Sequence, residues 1–470
     1  MSDYSNQQVS NKAYKIDYDC NVFGVLIEIF QHGDIFTKLS FLIMGLANLV
    51  RGQIIKGLIF LASEVAFFVF MAKYGFKNIH DMITLGDQAV IQTVDAEGFY
   101  HTTPKDQSLK MLLFGVCTLL VIAAFVLMWK GNVKSGYLAQ YAVQSGKRPK
   151  SFVRDILDLF DCNLHKTMLF FPMTGILAFT VSPLIFMILI AFTNFDNKEH
   201  NGMMQLFDWI GFKNFGDVLG MSAVWGDSFW RILGWTIVWA VFATFTCYIG
   251  GILLALLINR KGIKFKGFWR TIFVISTAVP QFVTLLLISK LLGDTGAINN
   301  VLQDIGVIAQ GEYIKFLSDV TTARVVVILV NFWVGVPYTM LVMTGILMNI
   351  PADLYESAKI DGANNVVMFF KITLPYMIFV TTPHLISSFI GNINNFNLIY
   401  LLTGGGPNYG ELYQAGSTDL LITWLYKLTN DQGLYGYAST IGILVFIICA
   451  TFSLITYRNS GSYKNEEEFQ

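Results

Sequence analysis

Long apolar segments recur along the chain, and most have the length of a membrane-spanning helix. A spanning helix needs about 20 mainly apolar residues. Seven segments clearly meet this length: 109–130, 168–193, 229–257, 270–292, 323–348, 376–401 and 435–457. An eighth, shorter segment, 54–73, precedes them and carries Glu64. The apolar stretch 39–50 is too short to span, which predicts an interfacial helix before the first span.

The composition supports the same fold class. Hydrophobic residues make up 54% of the 470 residues and charged residues 14%, whereas soluble domains average about 25% charged residues. The 32 basic and 32 acidic residues balance, which excludes the basic footprint of a nucleic-acid binder. The five cysteines form neither a disulfide framework nor a metal-site pattern. We therefore predict an all-α, polytopic membrane protein of about eight transmembrane helices.

Basic residues in the connections predict the orientation. With the N-terminus inside, about two thirds of Lys and Arg fall on the cytoplasmic side, as the positive-inside rule requires. The densest run lies between Lys130 and Lys166, and a second one lies between Arg260 and Arg270. Eight spans place both termini in the cytoplasm.

Ionisable residues and prolines inside the spans are candidates for function. Pro172, Pro183 and Pro280 free backbone carbonyls, which favours a bundle with an internal pathway, although each can equally be an ordinary kink. His384 is the one histidine within a predicted span. It is either a functional group or a neutral histidine bonded to a neighbouring helix.

Catalytic motifs are absent from the sequence. There is no GxxxxGK[ST] phosphate loop, no HExxH and no GxSxG, each of which marks a different catalytic or nucleotide site. We therefore expect no enzyme activity, no catalytic residue, no metal site and no cofactor on this chain.

The loop between the spans 323–348 and 376–401 has the pattern of a short helix–turn–helix. Pro351 suits a first helical turn, and Asp353 and Glu356 favour its positive end. Gly362 can end the helix in the left-handed conformation. The alternative is a hairpin that only packs on its own bundle.

This loop resembles the EAA loop of permeases from ATP-binding-cassette importers, EAA-x3-G-x9-I-x-LP. The matching residues are Glu356, Ser357 and Ala358, then Gly362, then Ile372, Leu374 and Pro375. Ser357 departs from the family's alanine, and every spacing is kept. The resemblance implies a coupling helix that docks on a separate ATPase, which would bind ATP and Mg²⁺. The residues it assigns to coupling are Glu356, Ser357, Ala358, Asp361 and Gly362.

The resemblance extends over about 165–458 and is closest to maltose permeases of the MalF type. It is carried by TTARVVVILVNFWVGVPYTML, SSFIGNINNFNLIYLLTGGGPN and AGSTDLLITWLYKLT. That family type also has eight spans, with a core of six helices. Its Gram-negative members carry a large domain after the third span, whereas the loop here, 194–228, is short.

The resemblance also implies a sugar site of polar and small residues on two core helices. The residues are Asn331, Gly335, Tyr338, Ser388, Asn392 and Asn395. Each triplet has the spacing i, i+4, i+7, which puts its members on one helix face. Amides suit sugar hydroxyls, and a tyrosine can stack on a pyranose. The alternative is that the two stripes hold helices together.

The predicted organisation has five parts. They are a cytoplasmic or interfacial segment 1–53, two accessory spans 54–130, a basic linker 131–167, a permease core 168–457 that contains the EAA loop 351–375, and a cytoplasmic tail 458–470.

The predicted function is the permease subunit of an importer for maltose, maltodextrin or a related oligosaccharide in a bacterial cell membrane. The implied partners are a second homologous permease, two ATPase subunits and an external sugar-binding protein. An ion-coupled secondary sugar transporter is the alternative, with Glu64 and His384 as its ionisable groups.

Overall fold

The computed structural model describes residues 22–459 apart from 89, 96, 203 and 261. These residues are mainly helical, with one short hairpin, so the all-α class is confirmed. The chain forms two compact units. The first runs to residue 189 and includes 199–209, and the second holds the rest.

The first unit contains seven helices and a hairpin among its described residues. They are α1 Val22–His32, α2 Ile35–Leu39, α3 Leu46–Val50, α4 Ile54–Thr84, β1 Val90–Val94, β2 Tyr100–Pro104, α5 Ser108–Gln144, α6 Phe152–Phe160 and α7 Leu164–Ile190. The hairpin is antiparallel, and Val94 pairs with Tyr100 beside its turn.

The predicted interfacial helix at 39–50 is wrong. This stretch is the end of α2, a turn and α3, and Met44 and Ala47 are fully buried. The turn is held by polar side chains of the long helices. The Met44 N–H donates to Oε2 of Glu64, and the Gly45 N–H donates to Oδ1 of Asn132, both at 2.8 Å. These backbone donors would otherwise be buried without partners, so the contacts stabilise the segment within the unit.

An ion pair closes the same segment. Nη2 of Arg51 lies 2.6 Å and 2.7 Å from the two carboxylate oxygens of Asp34. Burial alone would raise the pKa of Asp34, but the hydrogen bonds from Arg51 and from the Thr37 N–H hold it below its ordinary value. Asp34 also caps α2 through that Thr37 contact.

The second unit contains the remaining helices. They are α8 Lys213–Gly216, α9 Ala223–Asn259, α10 Lys266–Ala278, α11 Gln281–Leu291, α12 Ala297–Asp304, α13 Val320–Asn349, α14 Ala352–Ile360, α15 at 365–393, α16 Phe396–Thr403, α17 Leu421–Asn430 and α18 Tyr435–Asn459. A π-helical stretch, Asp217–Met221, follows α8, and another, Phe369–Thr373, lies within α15.

Helices α9 and α13 pack along a seam of small residues. A Cβ at Gly251 would lie 2.5 Å from Cγ2 of Thr339, and one at Gly250 would lie 2.6 Å from the Phe332 ring. Because glycine has no side chain, the two helices approach more closely than larger residues would permit.

Seven helices in the described part of the chain are long and apolar enough to cross a membrane. They are Ile54–Thr84, Ser108–Gln144, Leu164–Ile190, Ala223–Asn259, Val320–Asn349, the segment Asn365–Thr403 that comprises α15 and α16, and Tyr435–Asn459. They coincide with seven of the eight predicted spans.

The remaining predicted span, 270–292, is not one helix. It is divided between α10 and α11, and Val279 between them has an extended backbone (φ −75°, ψ 127°). Pro280 explains the break, because proline has no N–H for the helix and forces the preceding residue out of the helical conformation.

Candidate functional site

A cavity of about 450 Å³ lies within the second unit. It is lined by residues of α9, α13 and α15, by the first residue of α11, and by the connection to α16 with the first two residues of that helix. All six residues predicted for the sugar site line it: Asn331, Gly335, Tyr338, Ser388, Asn392 and Asn395. The structure therefore brings the predicted set together, and sugar binding by that set stays a prediction.

Asn331 and Gly335 join α9 to α13 as well as lining the cavity. Nδ2 of Asn331 donates to the Ala243 carbonyl and to Sγ of Cys247, each at 3.3 Å. A Cβ at Gly335 would lie 2.7 Å from that same sulfur. The space beside Gly335 is thus filled by Cys247, so its small size serves the contact between α9 and α13.

Helix α15 supplies the opposite wall. Nδ2 of Asn392 donates to Oγ1 of Thr244 at 3.0 Å, and Oγ of Ser388 lies 3.5 Å from Nε2 of His384. The prediction that Asn395 shares their helix face is wrong. The helix stops at Ile393, and Asn395 caps α16 by accepting the Leu398 N–H at 3.3 Å. Its Nδ2 still reaches Oδ1 of Asn392 at 3.4 Å.

Tyr338 is the residue of the set most open to a ligand. Its side chain is 58% exposed, and its hydroxyl makes no hydrogen bond to a described residue. Its ring centroid lies 6.3 Å from that of His384 at an angle of 51°. His384 bonds to Ser388 of its own helix rather than to a neighbouring helix. Tyr338 and His384 therefore present two rings at the cavity wall.

Further residues that the sequence did not single out also line the cavity, and three of them carry polar groups on α9 and α11. Thr244 and Tyr248 lie four apart on α9, and Gln281 is the first residue of α11. Tyr248 is positioned by its hydroxyl, which lies 2.7 Å from Oγ1 of Thr381. The sequence signal for Gln281 was its position directly after Pro280. A helix that begins beside a cavity can present its polar first residue to that cavity.

The chemistry of the wall is neutral and rich in hydrogen-bonding groups. Asparagine, glutamine, threonine, serine and tyrosine supply both donors and acceptors. Among the lining residues there is no Asp, Glu, Lys or Arg. Such a wall suits a ligand with many hydroxyl groups and no formal charge.

The loop that resembles the EAA motif has the predicted helix–turn–helix form. Helix α14 begins after Pro351, and Gly362 has a φ of +79° at its end. The carboxylate of Glu356 is exposed, and Ile360 is 87% exposed. The Tyr355 hydroxyl lies 2.8 Å from Oγ1 of Thr373, so α14 is tied to the beginning of α15, the helix that lines the cavity.

The remaining members of the predicted coupling set surround Glu356. Ser357, Asp361 and Gly362 are exposed, and Ala358 is half-buried. The set thus forms an accessible surface at one end of the second unit. Its contact with an ATPase stays a prediction.

Comparison with known proteins decides the family. Residues 247–460 match the family described as binding-protein-dependent transport system inner membrane component. The galactooligosaccharides transport system permease protein GanP of Bacillus subtilis (strain 168) is 34% identical over 93% of this chain and 100% of its own length. This chain belongs to that family.

Two other relatives of this permease are informative. The maltodextrin transport system permease protein MalC of Streptococcus pneumoniae (serotype 4) is 32% identical over 91% of the chain and 96% of its own length. A crystal structure of a bacterial ABC transporter involved in the import of alginate, an acidic polysaccharide, superposes with a TM-score of 0.51. It is 25% identical and covers 65% of this chain and 97% of its own. The predicted resemblance to importer permeases is confirmed.

This permease is therefore a multi-pass membrane subunit of an ABC importer, and its family is not one of enzymes. The ion-coupled alternative has no support from these relatives. Glu64, its clearest acidic residue, accepts a backbone N–H in the first unit, which is a structural role.

Proposed function

We propose that this permease carries a neutral oligosaccharide of the maltodextrin or galactooligosaccharide class through the cavity between α9, α13 and α15. The observation that carries the proposal is the uncharged, amide-rich and hydroxyl-rich wall. Relatives named for these two sugar classes match nearly the whole chain. An acidic sugar such as alginate would need cations to balance its carboxylates, and the wall offers none.

Sugar recognition follows from the geometry of the wall. Amide groups of Asn392 and Asn395 form one hydrogen-bonded pair that can reorganise around sugar hydroxyls. Tyr338 can stack on a pyranose ring or bond through its free hydroxyl. A single buried hydrogen bond is worth about 0.5–1.5 kcal/mol, so several weak contacts select the sugar without holding it too tightly for release.

The driving force would come from partner chains. We infer that α14 docks on an ATPase, because its exposed surface carries Glu356 and the spacing of the EAA motif. Two such ATPases, which bind ATP and Mg²⁺, a second homologous permease and an external sugar-binding protein would complete the importer. Movement of α14 would be transmitted to the cavity through the Tyr355–Thr373 contact. Thr373 lies in α15, and α15 also lines the cavity.

The orientation follows from the basic loops. We infer that both termini and α14 face the cytoplasm, as the positive-inside rule favours. This requires the pair α10 and α11 to cross the membrane as one broken span. Together they extend over residues 266–291, and a helix of that length reaches about 39 Å, which exceeds the hydrocarbon thickness of about 30 Å.

The test is uptake by the assembled importer in proteoliposomes, with neutral maltodextrins, galactooligosaccharides and an acidic oligosaccharide as competing substrates. We expect a neutral class to be transported and the acidic one to be excluded. Tyr338→Ala should raise KM about tenfold, which corresponds to about 1.4 kcal/mol, while Tyr338→Phe separates stacking from hydrogen bonding.

Tyr74→Ala is the matched control, because Tyr74 is similarly exposed at 59% and lies in the first unit. Preferential uptake of the acidic oligosaccharide would overturn the proposed substrate class. An unchanged KM in both Tyr338 variants would overturn the assignment of the cavity.

A further inference from the structure

A groove of about 740 Å³ lies in the first unit, and it shares no lining residue with the sugar cavity. It is formed where the beginning of α4 and the last third of α5 meet the amphipathic helix α6. Its floor is apolar and includes Leu138, Ala142, Phe152, Ile156 and Leu159. A groove of this size and polarity would be costly to leave filled with water.

Basic groups surround the groove at its rim. Nζ of Lys56 lies 2.8 Å from Oδ2 of Asp155, and Lys150 is paired with Asp158. Within each pair the lysine and aspartate charges cancel, so neither pair adds net charge to the rim. The hydrogen bond to Asp158 raises the pKa of Lys150 despite an opposing effect of burial.

Two further cations at the rim carry an unbalanced charge. Lys147 and Arg148 both line the groove and are exposed. Their side chains make no hydrogen bond or ion pair with any described residue. The groove therefore has an apolar floor and a net positive charge at its edge.

The groove lies beside the ends of membrane-spanning helices. Lys56 stands at the beginning of the spanning helix α4, and α6 ends four residues before the spanning helix α7. The apolar face of α6 is open: Val153, Leu157 and Phe160 are 64%, 61% and 67% exposed. A short helix with one apolar face, next to a span, is typical of a segment lying in the membrane interface. In the proposed orientation this is the cytoplasmic surface.

We propose that this groove binds an anionic phospholipid of the inner leaflet. The lipid phosphate would lie between Lys147 and Arg148, and an acyl chain would cover Leu138, Ile156 and Leu159. Basic pockets beside spanning helices on the cytoplasmic side recognise anionic headgroups. Charge complementarity favours a phosphate-bearing anion over a zwitterionic lipid, and the apolar floor favours a lipid over a free anion.

The experiment measures lipid retained by the purified full chain in mild detergent, using native mass spectrometry with added phosphatidylglycerol or phosphatidylcholine. We expect phosphatidylglycerol to be retained preferentially. The double variant Lys147→Gln/Arg148→Gln should weaken that retention about thirtyfold, because each cation near an anionic lipid contributes roughly fivefold. Both residues are exposed, so the fold should be unaffected.

The matched control is Lys73→Gln/Lys77→Gln, which removes two exposed cations from the second half of α4. Its retention of phosphatidylglycerol should be unchanged. A second variant, Ala142→Trp, fills the apolar floor without changing charge and should also release the lipid. That result would distinguish a groove from diffuse surface charge.

Four outcomes would overturn the proposal. They are equal retention of both lipids, equal losses in the rim and control variants, displacement by millimolar inorganic phosphate, and loss of lipid retention when the partner chains are assembled. The third would identify a free-anion site, and the fourth would identify a protein partner as the occupant.

Discussion

Replacing Gly335 by alanine tests whether this position serves the ligand or the packing of α9 on α13. The new Cβ would lie 2.7 Å from Sγ of Cys247, whereas non-bonded heavy atoms favour about 3.5–4.0 Å. The sulfur must withdraw by roughly 1 Å. It also contacts Asn331, donating to the carbonyl at 3.5 Å and accepting from Nδ2 at 3.3 Å, so its movement disturbs that residue.

The expected effect is a loss of stability that depends on the cysteine. Overpacking costs about 1–3 kcal/mol, and a weakened hydrogen bond costs about 0.5–1.5 kcal/mol. We therefore expect Gly335→Ala to lower the free energy of unfolding by about 1.5–4.5 kcal/mol. In a Cys247→Ala background the clash is absent, so the same substitution should have little effect.

The assay is thermal unfolding of the purified importer in detergent, with uptake measured in parallel, for both single variants and the double variant. Gly345→Ala on the same helix is the control, because its added Cβ has no atom within 4 Å. The packing interpretation is refuted if Gly335→Ala leaves Tm unchanged and abolishes uptake equally in both cysteine backgrounds. That result would show that the missing side chain makes room for the sugar.

Three further predictions concern other parts of the chain. Glu356→Lys on the exposed α14 should abolish uptake without reducing membrane insertion, because it reverses charge at the proposed ATPase contact, and normal uptake would contradict this. Glu64→Gln should preserve uptake, because the glutamine oxygen can still accept the Met44 N–H, whereas Glu64→Ala should lower the free energy of unfolding by about 1–3 kcal/mol. Loss of uptake in Glu64→Gln would instead indicate a transport role for the carboxylic acid. Arg51 holds the pKa of Asp34 below its ordinary value of 3.8. The stability that the Asp34–Arg51 pair confers should therefore be present at neutral pH and be lost as the pH falls below 3.8. Acid unfolding should become less steep in Asp34→Asn, and an identical acid transition would contradict the ion pair's role.

Much of the architecture could be predicted because it depends on local composition. Apolar length defines seven spans, and cap residues define the limits of α14. The spacing of Asn331, Gly335 and Tyr338 placed them on one face, and the structure places all three at the cavity. These features require no knowledge of distant contacts.

The rest depends on tertiary contacts or on single breaks within apolar runs. Hydropathy averages over about 20 residues, so it did not detect the interruption at Pro280 or the one at Asn395. The turn before α3 forms because Glu64 and Asn132 satisfy its backbone, and those partners are remote in sequence. The third wall of the cavity, with Thr244, was not predicted, because its few polar side chains lie within a helix that is apolar over most of its length.

The position of Cys247 gives this transporter a built-in chemical reporter. Its thiol lies in the wall of the proposed sugar cavity and in the seam between two helices. With the other cysteines replaced, the rate of alkylation at this one atom would follow the opening of the cavity, and a bound substrate would shield it. The same feature is a vulnerability, because an oxidant or electrophile that reaches this sulfur would wedge α9 and α13 apart and arrest the cycle.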